Sequence, residues 1–192
     1  MSSDVLTEAR PQRADARRNR ERVLEAAREA LAEHGLDAQM DDIAARAGVG
    51  VGTVYRHFPT KEDLVGALVA DRWRSLTEAA FPAFEVDDPW QGLSEYLWRA
   101  ARLQCDNRAW AQLAAAAPLG VEAEDERQEL VAVTDKLVAR AKKAGVVRKD
   151  LAAQDIAMLM CGTCSVMQTT GAHDGDKRWE RFFALALEGL RA

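Results

Sequence analysis

The sequence predicts an all-α protein of about nine helices, and three observations carry that expectation. Hydrophobic residues make up 48% and charged residues 30% of the 192 positions, with only 5 prolines, a balance that suits a soluble helical chain better than a disordered or fibrous one. Apolar residues recur at intervals of three and four along most of the chain, whereas alternating, strand-like runs are scarce. Glycines and prolines fall between these periodic stretches, at Gly35, Gly48, Pro59, Pro118 and Gly145, where they end one helix and release the chain into the next. This length allows one large core or two small ones.

Residues 1–14 lack periodicity and read as a mobile basic arm. The first helix is expected from Asp15 to His34, with Val23, Leu24, Ala27, Ala30 and Leu31 as its buried stripe and Gly35-Leu36 as a glycine cap with a hydrophobic residue folding back. Two short helices follow between Met40 and Phe58, meeting at Gly48. Met40, Ile43, Ala44 and Ala47 mark the inner face of one, Val49 tucks inward, and Val51, Val54 and Phe58 mark the inner face of the other. Pro59 forces Phe58 toward extended geometry. Thr60 and Asp63 match a capping box, so a fourth helix starts at Lys61 and runs through Trp73 and Leu76 toward Phe81, where Pro82 ends or kinks it.

Asp87-Asp88-Pro89 opens a helix to about Cys105 carrying Leu93, Tyr96, Leu97 and Ala100, and a short helix is expected over Arg108 to Ala117. Glu122 to Ala144 is amphipathic, with Leu130, Val133, Leu137 and Ala141 inward. Ala152 to Thr170 has no charge after Asp155 and is apolar around most of its circumference. Lys177 to Leu190 likewise carries more apolar residues than one stripe needs. These last two helices are expected to supply both a core and a twofold dimer interface through Met160, Met167, Trp179, Phe182, Phe183 and Leu187, the alternative being a monomer that buries both helices internally.

The net charge of −5 excludes a uniformly basic nucleic-acid binder, so the local distribution decides. Between Arg10 and Arg22 there are six arginines against two acids, next to the short helix pair. That pair leaves Gly52, Thr53, Tyr55, Arg56 and His57 outward, a polar face of the size that enters a DNA major groove. A lysine at the first position of the next helix, Lys61, stands where its ammonium and free backbone N–H groups can share one phosphate. No apolar run resembles a signal peptide or a membrane span, so a cytoplasmic location without membrane association is expected.

The run DDIAARAGVGVGTVYRHFPTKEDLV, Asp41 to Val65, preceded by a helix ending at Gly35, resembles the TetR family of transcriptional regulators. The likeness is strong over residues 16–66, and the ending WERFFALALEGLRA is similar to C-terminal domains of some actinobacterial members. The resemblance implies a helix-turn-helix DNA-binding domain over residues 15–60 and a larger helical ligand-binding and dimerisation domain over 61–192. It implies a homodimer on a palindromic double-stranded operator, acting as a repressor released by a small-molecule effector. By matching position, Thr53 and Tyr55 are expected to contact phosphates and base edges, and His57 and Lys61 the backbone. Val51 and Gly52 stand where many members place base-reading side chains, and neither can hydrogen-bond through its side chain. Gln39 and Gly50 replace a common serine or threonine, Asp41 is expected to cap its helix rather than accept from a cytosine, and Arg17 and its neighbours reach phosphates or the minor groove.

No catalytic motif, metal ligand set or cofactor motif is expected, because no serine or cysteine stands with a histidine and an acid in a hydrolase pattern. Cys161-Gly-Thr-Cys164 lies mid-helix and lacks two further zinc ligands, so small residues packing at a helix interface outweigh a thiol-redox sensor, which stays as the alternative. A helical binding module without specific DNA binding is the other alternative. A cavity between helices is expected near Trp98, Trp110, Leu137, Met158 and Cys161, for apolar or aromatic ligands.

Overall fold

A computed structural model describes residues 5–105, 121–171 and 176–192, with side chains from residue 15 onward except at 104, 105, 121 and 122. Among the described residues there are eight α-helices, one 3₁₀ turn and no strand. They are α1 (Val5–His34), α2 (Met40–Ala47), α3 (Val51–His57), α4 (Lys61–Glu85), α5 (Pro89–Cys105), α6 (Val121–Lys143), α7 (Ala153–Thr170) and α8 (Arg178–Glu188). The helix expected over 108–117 lies outside the described residues.

Helix α1 begins ten residues before the expected start, so the stretch read as an arm is helical from Val5. Leu6, Glu8, Ala9 and Ala14 are good helix formers, and extending a formed helix needs no new nucleus, so the missing N–H of Pro11 and the absent periodicity do not stop it. The expected stripe is buried in full: Val23, Leu24, Ala27, Ala30 and Leu31 are at most 4% exposed. Gly35 has the left-handed φ of 57° expected of a helix end. Leu36 does not fold back, however. A 3₁₀ turn over Gly35–Asp37 carries it outward to 42% exposure, and Ala38 fills the inner position instead.

Helix α4 passes through Pro82 and ends at Glu85, beyond the expected stop. Its final carbonyls explain the continuation. The Arg140 guanidinium of α6 donates to the oxygens of Ala83 (2.9 Å), Phe84 (3.2 Å), Val86 and Asp87 (3.3 Å), capping the helix end with a cation where the dipole favours one. Helix α5 crosses close beneath this end, so close that a Cβ on Gly92 would sit 2.4 Å from the Ala83 carbonyl oxygen. The entry to α5 is fixed by Asp88, whose carboxylate accepts from the N–H groups of Trp90 (2.8 Å) and Gln91 (3.1 Å).

Two clusters of buried side chains result. The first joins α1, α2 and α3 to the Leu64–Ala70 part of α4 and to Ala123 of α6, so it reaches ten residues past the boundary expected at residue 60. The second joins the rest of α4 to α5, α6, α7 and α8. Trp73 borders both clusters, because α4 is long enough to serve each with one half. An ionic chain follows the same seam: Arg28 of α1 pairs with Asp71 of α4, and Arg74 of α4 pairs with Asp71 (3.5 Å) and with Glu126 of α6.

Five of the six expected interface residues are buried within the single chain. Met160, Met167, Trp179, Phe183 and Leu187 are all at most 8% exposed within the single chain. Helices α7 and α8 pack on each other and on α5, and the ring of Trp98 meets Phe183 edge-on at 4.8 Å and Trp179 at 6.0 Å, so these side chains are consumed by the second core. Of the six, Phe182 alone remains exposed, at 38%, and the other exposed large apolar side chains on the described residues of these helices are Met158 and Leu185.

Candidate nucleic-acid interface

Helix α3 is held from one side. Val54 is fully buried and Phe58, just past its end, is 2% exposed, while Gly52, Tyr55 and Arg56 are exposed and Thr53 and His57 are partly so. Val51, expected in the inner stripe, is 42% exposed because the start of this seven-residue helix overhangs the small core, where Val49 takes the inward place. The exposed set is therefore Val51, Gly52, Tyr55 and Arg56, with Thr53 and His57 at its flanks. A Cβ on Gly52 would meet nothing within 4 Å, so the bare leading end is open space rather than a packing requirement.

The turn before α3 is fixed by Gly48 and Arg22. Gly48 ends α2 in the left-handed conformation, φ 63°, and its N–H and that of Val49 return to the carbonyls of Ala45 and Ala44, each at 3.1 Å. Arg22 of α1 donates to the Gly48 carbonyl at 3.2 Å, and a Cβ at Gly48 would lie 2.7 Å from that guanidinium. Arg46 makes a second clamp, with two hydrogen bonds to Glu33 of 2.8 and 2.6 Å and Glu29 at 3.5 Å. The hydrogen bond from Arg46 holds the Glu33 carboxyl below its ordinary range and pushes the guanidinium's own pKa up.

The other expected contacts are placed as follows. Gln39 is the N-cap of α2 without a side-chain cap bond; its amide donates to the Asp37 carbonyl at 2.7 Å. Asp41 therefore lies inside the first turn of α2 and does not cap it as expected, because the N-cap is Gln39 and the helix starts at Met40, two residues earlier than a cap at Asp41 would place it. Thr60 and Asp63 form the expected reciprocal capping box at the start of α4. The Lys61 ammonium donates to the Leu36 carbonyl, tying the 3₁₀ turn to α4 while two of its protons stay available. Arg17 is 82% exposed and lies 3.4 Å from Glu21, Arg18 pairs with Asp15, and Arg20 lies over the Phe58 ring at 5.4 Å. Arg22 and Arg20 thus brace the helix-turn-helix, a role the count of arginines alone did not separate from phosphate binding.

The second core contains a cavity of about 360 Å³, within the range of small-molecule sites. Trp73 and Leu76 of α4, Tyr96 of α5, Thr134 of α6 and Met160 and Cys161 of α7 are among its walls. Of the expected ligand residues it gathers Cys161. Leu137 is buried at 2% exposure elsewhere in the core, and Met158 is turned out at 67% exposure, one position away from Ala157 in the wall. Trp98 is held against Trp179 and Phe183 and borders a separate, open groove of about 440 Å³ with Arg99 and Arg102. Trp110 lies outside the described residues. Sequence reasoning missed Trp73, Tyr96 and Thr134 as cavity walls; the spacing places Tyr96 on the inner face of its helix but cannot show that space is left beside it. Cys161 and Cys164 are not joined in a disulfide, and among the described residues no three His, Cys, Asp or Glu side chains gather to hold a metal ion. None of the described helices is long and apolar enough to cross a membrane.

Comparisons with known proteins agree with this arrangement. Residues 23–68 match the family described as bacterial regulatory proteins, tetR family, and residues 88–192 match the family described as transcriptional regulator SbtR-like, C-terminal domain. The chain is similar to the crystal structure of a TetR transcription regulatory protein from Mycobacterium vanbaalenii, with 35% identity and a TM-score of 0.65 over 95% of this chain and 100% of that one. It is 35% identical over 86 residues to the uncharacterized HTH-type transcriptional regulator TtgW of Pseudomonas putida, 44% of this chain and 64% of that protein. It is 41% identical over 75 residues to the HTH-type transcriptional repressor LfrR of Mycolicibacterium smegmatis, 39% of this chain and 37% of that protein. The alignments thus span less than two thirds of these two curated relatives. With both family matches and the helix-turn-helix geometry in place, the chain belongs to the TetR family of DNA-binding transcriptional regulators and is not an enzyme.

Proposed function

We propose that this regulator is a homodimeric repressor that binds a palindromic operator through α3 and is released when a small apolar or aromatic ligand fills the cavity of the second core. The observation that carries the reading is the one-sided burial of α3, which is anchored by Val54 and Phe58 and leaves Tyr55 47% exposed beside Arg56. Tyr55 and Thr53 contact base edges and phosphates, while Gln39, His57, Lys61 and Arg17 position the backbone. Val51 offers a methyl surface to thymine and Gly52 allows close approach. The proposed division places DNA binding in the first core and effector binding in the second.

The dimer is proposed to form through the outer faces of α7 and α8, at Met158, Phe182 and Leu185, in place of the buried residues first expected. Three large apolar side chains bare on two packed helices favour covering by a symmetric copy, and a twofold dimer presents two α3 helices to half-sites about one DNA turn apart. Trp73 supports a link between the two ends, since it lines the cavity and also packs on the DNA-side core. A gel shift against the DNA upstream of the regulator's own gene tests the proposal. Sequence-selective binding that weakens steeply with salt is expected, because phosphate contacts release counterions. No selective binding at moderate salt by a folded dimer contradicts it.

A further inference from the structure

The described walls of the second-core cavity are apolar except at a few groups, and the hydrogen bonds those groups already make restrict the ligand's chemistry. Arg127 borders the cavity, but its guanidinium is held by both oxygens of Glu124, at 2.8 and 2.6 Å, so cation and anion arrive as a neutral pair. Arg127 and Gln128 hold the Glu124 carboxyl down at about 2, which keeps the pair ionised at neutral pH. An anionic ligand gains little from an arginine so engaged.

Tyr96 is differently placed. Its ring is 4% exposed, and its phenolic oxygen lies 3.4 Å from Oγ1 of Thr134, also in the cavity wall. Thr134 donates its one hydroxyl proton to the Leu130 carbonyl at 2.8 Å, so towards Tyr96 it can only accept. Tyr96 is therefore the donor in a contact longer than the usual O–H···O range of about 2.5–3.0 Å. Burial raises its pKa above the ordinary 10, so the phenol keeps its proton at neutral pH. A buried donor with so long a bond is poised for a better acceptor, and a ligand carbonyl is one.

We infer that the cavity takes an uncharged, mostly apolar ligand whose carbonyl oxygen accepts a hydrogen bond from Tyr96, while Trp73, Leu76 and Met160 cover its apolar body. The inference rests on the cavity being the effector site and deepens that reading. It is tested by titrating the full-length protein with benzophenone, with diphenylmethane, which lacks the carbonyl, and with 4-benzoylbenzoate, which adds a charge. Wild type is expected to bind benzophenone about tenfold more tightly than diphenylmethane, the effect of one buried hydrogen bond, and Tyr96→Phe to erase that difference. The benzoate is expected to bind no more tightly than benzophenone.

Failure of wild type to bind benzophenone, a preference that survives Tyr96→Phe, or tightest binding of the benzoate overturns the inference. Should Tyr96→Phe not fold, the infrared carbonyl band of benzophenone bound to wild type gives the same answer. A band below its position in hydrocarbon solvent supports the hydrogen bond, and an unshifted band overturns it. DNA binding measured without ligand separates the two levels: its absence sinks the repressor reading, whereas intact DNA binding without the benzophenone preference sinks this inference alone.

Discussion

Helices α3 and α7 both leave part of their circumference bare, and they differ in what they leave there. Helix α3 buries Val54 fully and exposes Tyr55 and Arg56, polar groups that water satisfies until a phosphate or base edge replaces it. Helix α7 buries Ile156, Met160, Thr163 and Met167 and exposes Met158 at 67%, with Cys161 beside a cavity. An apolar face in water is unfavourable in proportion to its area, so α7 favours a partner or a ligand on physical grounds that α3 does not share. A polar face needs its neighbours only for support, while an apolar face depends on what its neighbours leave uncovered.

The largest expected effect comes from the boundary between core and surface on α8. Phe183 is fully buried and Phe182 is 38% exposed. Phe183→Ala is expected to destabilise the fold by about 3–5 kcal/mol, read by denaturant unfolding. Phe182→Ala is expected to cost far less in the monomer and to shift the monomer–dimer equilibrium, read by sedimentation. Equal effects on stability with no change in assembly would erase the distinction between the inner and outer faces.

Next in size is Gly92→Ala, whose new Cβ would press on the Ala83 carbonyl oxygen at 2.4 Å. Overpacking of this kind costs about 1–3 kcal/mol. The same substitution at Gly52 meets open space, so Gly52→Ala is expected to leave the melting temperature nearly unchanged. A large loss of stability at Gly52 would show that the bare end of α3 is packed against something after all.

The smallest effect concerns the exposed clamp between Arg46 and Glu33. Because the folded-state pKa of Glu33 is lowered, its contribution is present above its unfolded value of about 4.5 and is lost as the pH falls through the folded one. The melting temperature of Glu33→Gln should therefore lie slightly below wild type at neutral pH, and the two should converge as the pH drops below about 4.5. A difference that widens in acid contradicts the sign of this linkage.

The helix-turn-helix was legible because its signals are local. Gly48 marks the left-handed turn, Thr60 and Asp63 mark the next helix start, and Val54 and Phe58 mark the buried side within a few residues of one another. The misreadings there were also local ones: Leu36 and Val51 lie on apolar spacings but at element ends, where the core no longer reaches. In the second half the spacing identified the buried residues and then over-read them. Met160, Phe183 and Leu187 are apolar enough for either core or interface, and only the packing of α5 between α4 and α8 assigns them to the core. The continuation of α4 past Pro82 depends on Arg140, 58 positions later, and the cavity depends on four helices at once. No spacing within one helix encodes either.

The account's central claim is that the exposed face of α3 reads DNA sequence, and Tyr55→Ala tests it most directly. The measurement is the affinity of wild type and variant for the operator DNA and for a scrambled duplex at one fixed salt concentration. The account predicts a loss of about 10- to 100-fold on the operator with little change on the scrambled duplex, since Tyr55 is exposed and its removal leaves the core intact. Equal losses on both duplexes, or no loss on either, would contradict it.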